Sequence, residues 1–128
     1  MRNVNGVPTY RMDIPDGGVY LGNGIVWIGE DAFAFHSAGW LAATIGHEAV
    51  HATQDTDGRL YFGHQGVPMN EVEAYDWELN NTARFGLAQA EIQEVRDRRD
   101  EEYYLLTPEN QKRVDEGIYT LPAGQEDQ

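Results

Sequence analysis

The stretch from Ala38 to Thr53, Ala-Gly-Trp-Leu-Ala-Ala-Thr-Ile-Gly-His-Glu-Ala-Val-His-Ala-Thr, constrains the fold more than any other part of the chain. Its length and Ala content predict a helix, with Ser37 in place as an N-cap. The helix is apolar nearly all round, which marks a buried helix rather than a surface one. Three residues break the pattern: His47, Glu48 and His51. A buried carboxylate or imidazole without a partner is costly, so this helix needs something polar to meet those three groups.

Their spacing says what that could be. Positions i and i+4 lie on one face of a helix, so both imidazoles of His47-Glu48-Ala49-Val50-His51 can reach a single ion, with Glu48 beside them. Neutral imidazole nitrogens suit Zn²⁺. The chain has no Cys, which removes disulfides, thiolate nucleophiles and Cys-based zinc knuckles, and leaves His and carboxylates as metal donors. A catalytic zinc site takes a third protein ligand and keeps a fourth position open. The next predicted helix, capped by Asn70 and running from Glu71 to about Ala83, offers Glu71, Glu73 and Glu78. At about 100° per residue Glu73 turns away from the buried face, whereas Glu71 and Glu78 both lie at its edge. Glu71, at the start of the helix and near the loop returning to the motif, is the expected ligand; Glu78 is the alternative.

The rest of the chain frames this pair of helices. Residues 1–35 read as β and turn: Val7–Met12 and Gly24–Gly29 are β-branched or aromatic runs, separated by Pro15-Asp16-Gly17-Gly18 and Gly22-Asn23-Gly24. They predict a small antiparallel sheet. A Gly- and Asp-rich loop is expected over 55–68, with a short strand at Leu60–Phe62. Further helices are expected over Leu87–Tyr104 and from Thr107-Pro108 to near Gly117. The expected class is therefore α+β, a single domain over 1–121 with a polar tail over 122–128. A chain of 128 residues supports one such core. The formal net charge of −13, concentrated in the second half, sets aside nonspecific nucleic-acid binding. No run of about 18 apolar residues spans a bilayer and no apolar signal region opens the chain, so a soluble protein without an address of its own is expected. Gly46, inside the motif helix, predicts close approach of another backbone.

His47-Glu48-x-x-His51 followed by Glu71-x-x-Ala74 resembles the zinc metallopeptidases called gluzincins, whose third ligand is a Glu on the following helix. The short length, with Gly46–Gln54 and Glu71–Tyr75, is most similar to the compact metallopeptidase domains of bacterial polymorphic toxins and secretion effectors. The likeness covers roughly residues 24–85. It implies peptide-bond hydrolysis by a metal-activated water, with Glu48 as general base and then proton donor to the leaving amine. An oxyanion donor is expected among Tyr61, His64 and Tyr75, the first two in the inter-helix loop and the third on the ligand face. His36, on the strand-to-helix turn, is not expected to be a ligand. The resemblance further implies that an edge strand pairs with the substrate peptide, which places Val26, Trp27 and Ile28 at the substrate. It implies a peptide or protein substrate, an immunity or inhibitor protein as partner, and export as part of a larger effector. Many gluzincins carry an acid four residues after the ligand Glu, where this chain has Tyr75, with Asp76 next. The rival expectation is an inactive zincin scaffold that holds structural zinc and binds a protein partner.

Overall fold

The computed structural model describes residues 8–10, 18–22, 25–28 and 37–125. Three short strands come first: β1 (Pro8–Tyr10), β2 (Gly18–Gly22) and β3 (Ile25–Ile28). Helices follow: α1 (Ala38–Thr56), α2 (Gly63–Leu79), the single turn α3 (Thr82–Phe85), α4 (Gln89–Tyr103) and α5 (Pro108–Asp115). Helix accounts for 71% of residues 37–125, and no strand occurs there. This overturns the α+β expectation in favour of an all-α body. The expected antiparallel sheet is corrected as well. The strands are ordered β1-β3-β2, with β1 parallel to β3 (Thr9 opposite Trp27) and only β2 antiparallel to it (Val19 opposite Trp27).

The helical core has α2 at its centre, packed on α1, α4 and α5. Met69 and Val72 of α2 form an apolar cluster with Leu106, Val114 and Leu121, against which Tyr61, Tyr103 and Tyr119 pack. Polar side chains tie the elements at their ends. Ser37 Oγ accepts from Trp40 N at 3.1 Å, capping α1 as expected, and donates to Glu91 Oε2 at 2.8 Å. Glu91 also accepts from the Ala88 backbone, so one carboxylate serves the N-termini of α1 and α4. Gln65 donates to the Leu105 carbonyl and accepts from Thr107 N and Asn110 Nδ2, pinning the α4–α5 turn to the start of α2. Gln125 accepts from Asn110, which docks the first part of the expected tail on α5.

The loop expected over 55–68, with its short strand at Leu60–Phe62, is corrected. Helix α1 runs on to Thr56, the chain turns at Gly58 with φ of 70°, and α2 begins at Gly63. Gly63, Gly66 and Pro68 carry a loop signature, yet all three are helical. Pro68 leaves the His64 carbonyl without its helical donor. Tertiary contacts compensate. The Asn70 side chain, expected to cap the helix, instead exchanges two hydrogen bonds with the Tyr61 backbone, accepting at 3.2 Å and donating at 2.8 Å. A Cβ on Gly66 would lie 2.6 Å from that of Tyr61, so only Gly lets the 59–62 segment lie against the helix.

Gly46 also marks a close approach, though not to a backbone. A Cβ there would sit 2.3 Å from the Trp77 ring, so an indole rather than a main chain rests on α1 at the residue preceding His47. The backbone contact belongs to Gly39, against the Phe85 carbonyl.

Candidate metal centre

Helix α1 buries one stripe, Trp40, Ala43, His47, Glu48, His51 and Gln54, of which every member from His47 onward is polar. The expectation of a helix buried all round is thus narrowed: Ala49 and Thr53 are exposed, while His47, Glu48 and His51 are 5–6% exposed. Helix α2 supplies the partners. Glu71 Oε2 lies 3.0 Å from His47 Nε2, and Glu71 Oε1 lies 2.9 Å from His51 Nε2. The two Nε2 atoms are 3.2 Å apart. Two imidazole nitrogens and a carboxylate therefore converge on one point, and His47, His51 and Glu71 form a group able to hold a metal ion.

These separations bear on which ion. Bonds of about 2.0–2.1 Å in a tetrahedral shell put neighbouring ligand atoms about 3.3 Å apart, so the observed spacing fits zinc with shifts of a few tenths of an ångström. The back of the site fits too. Glu78, one seven-residue step from Glu71 on the same face of α2, places Oε1 2.6 Å from His47 Nδ1. Gln54 Oε1 lies 2.8 Å from His51 Nδ1. Acceptors at both Nδ1 positions call for N–H there, which turns the Nε2 lone pairs toward each other and toward Glu71. Two facing lone pairs and a carboxylate repel unless a cation lies between them.

The electrostatics agree. Burial works against a charge on His47, but the hydrogen bonds and fields of Glu71 and Glu78 outweigh it, and its pKa is pushed up to about 10. Burial likewise opposes ionisation of Glu71, yet His47 and His51 hold its carboxyl well below the usual carboxylate range. The cluster stabilises one positive charge among these atoms, and proton and metal compete for it. Zinc affinity should consequently keep rising with pH through neutrality, instead of levelling off above the ordinary histidine value of 6.5. Chelator-competition titrations from pH 6 to 9 test this; a plateau by about pH 7 contradicts it.

Glu48 adjoins the two histidines on the buried stripe of α1. The residue is 5% exposed, and its Oε2 is buried with no hydrogen-bond partner among the described residues. Burial pushes its carboxyl up, opposed by the nearby His47 and His51. A buried carboxylate oxygen so placed, beside two imidazoles and a second carboxylate, fits a zinc ion with a fourth position for water. Glu71, with 26% of its side chain exposed, marks the side from which solvent reaches the centre.

The other expected residues divide. The Tyr75 ring packs on His47 with centroids 4.5 Å apart, and burial and the field of Glu71 push its phenol well above its usual range, keeping it a hydrogen-bond donor. Arg98 of α4 pairs with that phenol, an interaction no motif announced. Tyr61 packs against the apolar cluster instead of the centre. His64 is exposed on the first turn of α2, on the Glu71 face but about 10 Å nearer the N-terminus. Asp76 turns away, accepting from Arg99 Nε at 2.9 Å and Tyr119 at 2.7 Å, so the carboxylate behind a histidine is Glu78 instead. The edge-strand expectation for Val26, Trp27 and Ile28 is corrected: β3 is the central strand, paired on both sides, and β1 and β2 form the edges. His36 lies outside the described residues.

No described helix is long and apolar enough to cross a membrane. No known family model, curated protein or solved structure matches this chain.

Proposed function

We propose that this protein is a zinc-dependent metallopeptidase. The observation that carries the reading is the buried Oε2 of Glu48, unpartnered among the described residues, beside the converging Nε2 atoms of His47 and His51 and the Glu71 carboxylate. His47, His51 and Glu71 would hold the ion. Zinc, when bound, supplies Lewis acidity: it brings the pKa of a water to ~7 and polarises a carbonyl oxygen.

The chain's own residues do the rest. Glu48, whose charge is poorly solvated, takes a proton as the water oxygen bonds to the scissile carbonyl carbon, and gives it to the amine nitrogen as the C–N bond breaks. Glu78 and Gln54 keep the imidazole rings from turning. Tyr75, half-buried over His47, is the best-placed of the three tyrosine and histidine donors to meet the developing oxyanion.

Two measurements on the purified chain test the proposal. Elemental analysis should find near-stoichiometric zinc, and an unbiased peptide library should be cleaved in a chelator-sensitive manner. Zinc without cleavage of any peptide favours an inactive scaffold with structural metal, which has no use for a buried non-ligand carboxylate at position 48. Absence of both overturns the metal centre.

A further inference from the structure

Beyond the metal ligands, a buried polar chain runs away from His51 on the side opposite the centre. Gln54, 1% exposed, places its Oε1 2.8 Å from His51 Nδ1. An amide could face the imidazole with either end, and the two choices have opposite consequences. Its oxygen demands N–H at Nδ1 and frees Nε2; its NH₂ demands a lone pair at Nδ1 and puts the proton on Nε2, where it blocks a metal.

The far end of the amide decides between them. Gln54 Nε2 lies 3.1 Å from the Asn70 main-chain carbonyl and 2.9 Å from Glu73 Oε1. Both are acceptors, so the NH₂ must point that way and the oxygen must face His51. Glu73 in turn is held by Arg59, whose Nη1 donates to the same Oε1 at 3.0 Å, while Nη2 lies 3.5 Å from Asp57 Oδ2. Glu73 turns away from the metal-facing side of α2 yet reaches α1 through Gln54.

We infer that Gln54 is a positioning residue for the metal centre, oriented by Glu73, Arg59 and the Asn70 carbonyl so that His51 presents an unprotonated Nε2. The inference rests on the zinc reading above. Nothing in it requires Gln54 or Glu73 to touch metal or substrate.

The test is zinc affinity, measured by chelator competition on the whole chain. Gln54→Leu should bind zinc about 10–100-fold more weakly, the usual effect of losing a group that orients a ligand. Glu73→Leu should also weaken zinc, but should add nothing in the Gln54→Leu background, because Glu73 acts through the amide. Unchanged affinity in Gln54→Leu overturns the inference, as does a full further loss when Glu73→Leu is added. Should Gln54→Leu fail to fold, Gln54→Glu replaces it. That variant offers His51 an acceptor but sets a carboxylate against Glu73 and Asn70, so zinc should weaken, and pairing it with Glu73→Gln should recover most of the loss by exchanging donor and acceptor. Failure of this rescue overturns the relay. A wild-type chain that binds no zinc overturns the metallopeptidase reading and the relay with it, whereas normal wild-type binding with unaffected variants overturns the relay alone.

Discussion

Glu48→Gln should lower peptide cleavage by about 100- to 10,000-fold, the range contributed by a positioned general base, while leaving zinc content unchanged. Gln fills the same buried space, and Glu48 is not among the residues that converge as ligands, so neither fold nor metal should be lost. Only the proton acceptor is removed. The new amide leaves a buried donor to satisfy, at about 1–3 kcal/mol, which is offset in part because a buried charge disappears with it. Parallel assays of peptide cleavage and bound zinc on the two proteins separate chemistry from binding. Cleavage persisting at the wild-type rate would remove Glu48 from the mechanism; loss of zinc along with cleavage would make it a structural carboxylate.

Chelation should cost a large share of the stability. Zinc held at 1,000 times its dissociation constant stabilises the folded state by about 4 kcal/mol, which for a domain of this length is a midpoint shift on the order of 10–20 °C. Removing the ion leaves its buried ligands facing one another, so the loss falls on the α1–α2 contact at the centre of the fold. Thermal unfolding with and without chelator measures it. In Glu71→Ala, which removes the carboxylate that bridges the two imidazoles, the difference should vanish, and the variant should unfold below the chelated wild type, because the ion pairs with His47 and His51 are lost as well. A wild-type midpoint indifferent to chelator at saturating zinc is the opposing result.

Much of the centre is legible in the sequence alone. Two histidines four apart on an apolar helix had to share a face and had to be met by something polar, and His47 and His51 are buried with Glu71 between them. Helical angles narrowed the third position to Glu71 or Glu78 because a helix repeats closely every seven residues. They could not choose, since both reach the same imidazole: Glu71 at Nε2 and Glu78 at Nδ1. That choice depends on how α2 is translated along α1, which a Trp77 ring resting on Gly46 helps to set.

The misreadings share a cause. Gly63, Gly66 and Pro68 weaken a helix as isolated residues, but α2 forms through them because the Asn70 side chain and the Tyr61 backbone satisfy one another across it. The β-branched runs near the N-terminus predicted strands, and strands are there, but periodicity carries no information on pairing partner; β3 lies between β1 and β2 and one pairing is parallel. Gln54 gives no signal in the sequence and Glu73 only that it turns from the buried face, since a single amide acquires a role only from the acceptors that fold against it.

What the sequence determined by itself was local: a helix that must be buried, the common face of His47 and His51, and the exclusion of thiolate chemistry in a chain without Cys. Those follow from the 3.6-residue repeat and the cost of burying polar groups, which act within a few residues of any position. The tertiary structure alone decided the all-α body, which carboxylate faces which nitrogen, and that the buried Glu48 oxygen has no partner among the described residues. These depend on the distance and rotation between elements far apart in the chain, and no local rule carries that information.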